Sequence, residues 1–268
     1  PGFDGSITEG EAYNTPGAPN EVYFEEISEP KINEFVFNHS GTDTNEYIEI
    51  YGDPDTDYSD YFILQVEGDS YKGEITTVDI VGTTDANGFW WTGYYNGRYQ
   101  NGTQTLLLVR GFSGVAGADL DTNDDGDFDS EPWDEVVDSV AVSDGDSSDI
   151  TYGVPVLGPG YDGISFTPGG ASRIPDGYDT ETATDWVRND YDLGGIPGFD
   201  GSITEGEAYN TPGASNLVYT PPPEACGDAY TPIYEIQGNG DSTPLFGDNL
   251  ATEGIVVGDF QSGGKNGF

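Results

Sequence analysis

The chain has 268 residues, 50 of them acidic and 7 basic, for a formal charge of −43. It is 34% hydrophobic and 13% aromatic, which excludes a disordered acidic tail, because Tyr and Phe supply large burial per side chain. Seven basic residues spread over the chain form no stripe that could neutralise phosphates, so direct nucleic-acid binding is not expected of this segment.

The run PGFDGSITEGEAYNTPGA, Pro1 to Ala18, returns letter for letter at Pro197 to Ala214. It marks a tandem duplication with a period of about 196 residues. Solenoid repeats have periods of ~20–50 residues, so the unit here is a whole domain. The chain therefore reads as the end of a preceding copy (1–20), one complete copy (21–216), a Pro-rich linker (217–230) and the truncated start of another module (231–268). It opens on Pro rather than Met, as a segment of a longer protein would.

Within the complete copy, Lys31–Asn38 (KINEFVFN) sets Asn33, Phe35 and Phe37 on one face and Ile32, Glu34 and Val36 on the other, as in a strand buried on both sides. A His-Ser-Gly turn leads to a second strand over Asn45–Tyr51. Here Ile48 and Ile50 share a face with Glu46, while Tyr47, Glu49 and Tyr51 share the opposite one. An acidic loop, Asp53–Asp60, precedes strands at Tyr61–Val66 and Glu74–Val81. Phe89–Trp91 is an aromatic patch, and Asn96-Gly97 and Asn101-Gly102 are turn signals of the kind hairpins use. The continuous apolar run Thr105–Val109 suits a strand at the centre of a packed sheet. Val136–Val142 and Thr151–Pro159 supply further strands, and Gly169–Asp190 reads as a loop around a buried Trp186. No stretch reads as a good helix. The expected fold is all-β, a two-sheet β-sandwich whose long loops account for its size. Beyond the stiff Pro221–Pro223, the runs IYEIQG and EGIVVGDF read as new short strands.

KINEFVFNHSGTDTNEYIEIYG resembles the opening of the lamin-tail domain family, whose members run I-N-E, a gap, then E-[YW]-I-E-[IL]. SRIPDGYDT…DW and the terminal TPGA-x-N are similar to later motifs of that family. The resemblance covers Glu21 to Asn216 and implies an immunoglobulin-like β-sandwich. TPIYEIQGNGDSTPLFGDNLATEGIVVGDFQ resembles the start of the OB-like module in large secreted bacterial endonucleases of the ExeM/NucH type. The acidic insertion LDTNDDGDFDSEPWDEVVDSVAVSDG is similar to one in their lamin-tail domains. The resemblance implies an extracellular or cell-surface parent whose nuclease domain, with its divalent metal, lies beyond Phe268.

The acidic stretch Asp119–Asp134 is the candidate metal site. With Gly126 as the sixth position of an EF-hand-like loop, Asp121, Asn123 and Asp125 stand at positions 1, 3 and 5, and Asp129 at 9. Asp127 and Glu131 complete the candidate set for Ca²⁺, which takes six to eight oxygen ligands. Pro132 stands at position 12 in place of the bidentate Glu, with Glu131 or Asp134 as substitutes, and no helices flank the loop. The competing reading is a solvated acidic loop with Asp-Gly turns. An unoccupied loop of this charge is expected to be mobile. Asp53–Asp60 lacks a Gly at the needed place.

No catalytic residues emerge. His39 is the single histidine, so neither a Ser/His/Asp triad nor a two-His metal site can be built. Glu34, Glu46 and Glu49 fall on motif positions and are expected to make structural hydrogen bonds. Trp90, Trp91, Tyr94 and Tyr95 form either a sugar-stacking platform or hairpin packing. Asn38 and Asn101 open glycosylation sequons, and Cys226, the lone cysteine, has no partner for an internal disulfide. No apolar run approaches the ~20 residues of a membrane helix. The expected role is a non-catalytic accessory region that spaces, targets or stiffens its parent through calcium. Its partners are the other domains of the chain, with extracellular DNA reached through the parent. The alternative is an adhesion or carbohydrate-binding module of a surface protein.

Overall fold

A computed structural model describes residues 28–199, 201–221, 230–238, 245, 250 and 252. It divides the chain into two units, Pro1–Tyr219 and Thr220–Phe268. In the first, strands β1 (Lys31–Val36), β2 (Tyr47–Tyr51), β5 (Phe89–Trp91), β9 (Gly170–Arg173) and β10 (Trp186–Arg188) form one sheet in the order β10-β9-β1-β2-β5. Strands β3 (Tyr61–Glu67), β4 (Ile75–Ile80), β6 (Gln104–Arg110), β7 (Glu135–Val142) and β8 (Val156–Leu157) form the other, in the order β4-β3-β6-β7-β8. All pairings are antiparallel except β7 with β8.

The two sheets share one core. Phe35, Ile48, Ile50, Ala171 and Trp186 come from the first sheet, and Ile63, Leu106, Leu108, Val140 and Val142 from the second. Each sheet is also covered on its outer face. Leu64, Val66, Leu107 and Val109 are buried under Leu120, Phe128 and Trp133 of the acidic loop. Val36 and Tyr47 are buried under Leu193 and Ile196, just before the repeated segment that begins at Pro197. Double coverage explains why β1 and β6 read as buried on both faces: every residue of β6 but Arg110 is inside.

Strict alternation fails in β1. Ile32 pairs with Ile50 but Glu34 with Glu49, so Asn33 is the extra residue of a bulge. The bulge brings Ile32 into the same core as Phe35 and Phe37, and leaves Glu34 and Val36 on the outer face.

Two expectations are corrected. Gly169–Asp190 is not a loop throughout, because β9 and β10 pair within it and join the first sheet beside β1. Its small residues hide the strand: a Cβ on Gly170 would lie 2.6 Å from the Phe35 carbonyl oxygen, so glycine is what lets β9 approach. IYEIQG does not form a strand. Ile233–Gln237 is a short helix, α1, in which Glu235 and Ile236 donate to the Pro232 carbonyl and Gly238 ends the turn at φ 62°. A run this short fits either period, so local bonding decides. The EGIVVGDF run and the first copy of the repeat lie outside the described residues.

Candidate functional site

The motif residues of the first unit converge on the outer face of the first sheet. Glu34 on β1 sits opposite Glu49 on β2 and Ser172 on β9. Its Oε1 accepts from Ser172 Oγ (3.0 Å), Asn189 Nδ2 (2.7 Å) and the Thr211 amide (3.1 Å). Glu49 accepts from Asn33 Nδ2 (2.9 Å) and from the Gly213 amide (2.5 Å). Asn216 Nδ2 donates to the carbonyls of Asn33 (3.0 Å) and Arg173 (3.1 Å), and its backbone amide donates to Asp176. Thr211, Gly213 and Asn216 are the T, G and N of TPGA-x-N, so the repeated segment is latched onto the two strands that open the domain. Burial raises the Glu34 carboxyl to about 7, against the hydrogen bonds that favour its ionised form. Burial and the neighbouring Glu34 charge push Glu49 well above the usual carboxylate range. Glu46 lies on the opposite face, accepts from the Arg98 and Tyr99 amides, and belongs to no carboxylate pair with Glu49.

A second polar group bridges the sheets through the core. Arg173, fully buried on β9, donates through Nη2 to both oxygens of Asp138 on β7, at 3.1 and 3.0 Å. Its Nε donates to the Ile32 carbonyl, its Nη1 meets Asp179, and its guanidinium lies 4.7 Å over the Trp186 ring. Burial pushes the Asp138 carboxyl up to about 6, against the pull of Arg173.

The acidic loop is pinned down instead of loose. Asp121 is buried, accepting the Asp125 amide on Oδ1 and the Gly126 amide and Tyr152 hydroxyl on Oδ2. Burial works against its ionisation, but these hydrogen bonds hold the Asp121 carboxyl below its ordinary value. Asn123 accepts from the Asp125 amide, Asp125 from the Asp127 amide, and Asp129 from Thr122. Asp124 at φ 56° and Gly126 at φ 92° supply the left-handed turns. Phe128 stacks on Tyr152 at 4.8 Å and anchors the loop to the second sheet. Asn123, Asp125, Asp127, Asp129 and Glu131 are exposed. Among the described residues, no three acidic, His or Cys side chains are gathered closely enough to hold a metal.

His39 is buried in its turn, with Nε2 accepting the Thr44 and Asn45 amides and Nδ1 meeting the Ser40 carbonyl, a structural arrangement. Trp90 packs against the main core and Trp91 against Tyr47 and Tyr94. Tyr95 sits beneath Arg98. Of these four aromatics only Tyr94 is exposed, so they serve packing and form no flat platform.

Sequence reasoning missed a cavity of about 510 Å³, whose lining includes Phe37, Gln104, Val142, Arg188 and Tyr191. The one sequence signal was Gln104, a polar residue opening the apolar run of β6. Among the described residues, no helix is long and apolar enough to cross a membrane. Comparison with family models, with curated proteins and with solved structures finds no match to this chain in any of the three.

Proposed function

We propose that this chain is a non-catalytic accessory region, an immunoglobulin-like lamin-tail sandwich that serves as a spacer in a secreted endonuclease. One observation carries the reading. The residues of the I-N-E, E-Y-I-E, S-R-I-P-D-G and TPGA-x-N motifs meet in one hydrogen-bonded latch, where they hold the domain closed. Carboxylates used this way are buried and already accept several donors, and so are poorly placed to bind a substrate. The charge of −43 also repels bare DNA, so DNA would be engaged by other domains of the parent.

Calcium at the loop from Asp121 to Glu131 belongs to this reading as a stiffening element, and its binding would draw together carboxylates that the described structure leaves apart. Asp125, Asp127 and Asp129 keep exposed carboxylate oxygens on a loop already turned by Gly126.

The test has two parts. Supercoiled plasmid incubated with the purified chain and Mg²⁺ or Ca²⁺ should stay intact. The reading frame beyond Phe268 should complete an OB-like module and enter a domain with a metal-dependent nuclease site. Nicking by this chain, or a reading frame that runs into a sorting or anchor sequence, defeats the proposal.

A further inference from the structure

The cavity of about 510 Å³ lies where β1, β7 and β10 end, β6 begins, and the 158–168 segment folds across. Its volume falls within the ~300–1,000 Å³ range of small-ligand sites. Three features decide what fits it.

The first is an unmet acceptor. Gln104 is 1% exposed, and its Oε1 has no hydrogen-bond partner among the described residues. A buried acceptor left this way is destabilised, which a ligand hydroxyl would relieve.

The second is the absence of free positive charge in the wall. Arg188 donates to both oxygens of Asp162, at 2.8 and 3.1 Å, and to the Phe166 carbonyl at 2.8 Å. Its charge is therefore matched, and Asp144 and Glu207 add negative charge to the lining. Phosphates and carboxylates are disfavoured. Asp144 is exposed, so a cation meeting it would remain solvated there.

The third is a pair of rings at the opening. Phe166 is 74% exposed and Tyr191 48% exposed. The Tyr191 ring is held by the 2.9 Å bond from its hydroxyl to Asn38 Oδ1, and the Phe166 backbone by the bond from Arg188 to its carbonyl. Exposed aromatic faces suit a ligand that is apolar on one side and carries hydroxyls on its edge.

We propose that this cavity binds an uncharged saccharide, with one sugar face against Phe166 and Tyr191 and a hydroxyl donating to Gln104. The site is distinct from the Trp90–Tyr95 aromatic group, and it stands whether or not the parent is a nuclease.

Isotope-labelled full chain is titrated with cellobiose, lactose and chitobiose, and separately with inorganic phosphate and with agmatine as an organic cation. At least one disaccharide should give saturable NMR shifts at Gln104, Arg188 and Tyr191, while phosphate gives none. Phe166→Ala, at an exposed ring, should weaken that binding about tenfold with the spectrum otherwise unchanged. Gln104→Leu should weaken it as well. If none of the three disaccharides shifts these residues, if Phe166→Ala binds as well as the parent, or if phosphate or agmatine binds in their place, the proposal is wrong.

Discussion

Arg173 and Asp138 belong to different sheets and meet in the core with neither side chain exposed, so the sandwich is tied across its middle by an ion pair. Asp138 also accepts the Ile32 amide at 2.7 Å, which draws the bulged end of β1 into the same knot. Such a pair is a weak source of net stability when whole, but breaking it strands a buried charge. Arg173→Met should therefore cost about 3–5 kcal/mol in urea unfolding. Adding Asp138→Asn, which keeps an oxygen for Ile32 and removes the stranded charge, should recover part of that loss. A double variant no more stable than Arg173→Met would show that the charge is not what matters.

Stability should fall as pH rises from about 4.5 to 7. Burial raises Asp138 from 3.8 to about 6 and Glu34 from 4.5 to about 7, so in this window the folded chain holds protons that the unfolded chain has released. Their stabilisation is complete below the unfolded values and is lost as pH passes the folded ones. Carboxyls such as Asp162 and Asp185 are held low, against burial, by hydrogen bonds from Arg188 and Thr180, and they weaken the fold only in more acid solution. Melting temperature followed across pH should peak near pH 4–5, and a rising curve up to pH 8 would contradict the assignment.

Glu34→Ala leaves the Thr211 amide without an acceptor and takes one acceptor each from Ser172 Oγ and Asn189 Nδ2, which keep Asn189 Oδ1 and Asn210 Oδ1. The cost should be about 1–3 kcal/mol. The distinguishing readout is local. Amide exchange at Thr211 and Gly213 should speed up well beyond that of β6, because the latch opens while the sheets hold. Uniform acceleration across the domain would instead mark Glu34 as an ordinary core residue.

Calcium should raise the melting temperature of the chain, and chelator should reverse the rise; at a hundred times Kd the gain is about 2.7 kcal/mol. Asp121→Ala should destabilise even in chelator, since the Gly126 amide and the Tyr152 hydroxyl lose their acceptor. Asp127→Asn, at an exposed side chain, should leave the chelated chain unchanged and blunt only the calcium effect. Melting that ignores both calcium and chelator removes the ion from the loop.

Strands with strong alternation or continuous apolar runs were legible in the sequence, β2, β6 and β7 most clearly. Their pattern follows from burial that each strand experiences along its own length. The bulge at Asn33 was not legible, because it depends on what stands opposite, and neither were β9 and β10, whose pairing rests on the closeness Gly170 permits. The structural use of Glu34 and Glu49 was expected, but the latch they form was not. Its other half comes from Thr211, Gly213 and Asn216, far along the chain. The cavity has the same origin: Phe37, Gln104 and Arg188 become neighbours only once both sheets are built.

That separation has a kinetic consequence. β1 is the first strand among the described residues, yet its partners arrive late: Ser172 bonds Glu34 across 138 residues, Thr211 across 177, and Asn216 reaches Asn33 across 183. Loop closure on this scale must precede most of the reward, which places the domain among slow, high-contact-order folders. A nascent chain that has already made β1, β2 and the whole second sheet still lacks the Ser172, Asn189 and Thr211 donors to Glu34 and the Gly213 amide that bonds Glu49. The latch therefore acts as a completion check, and a copy cut short before Asn216 should persist as a partly open sandwich.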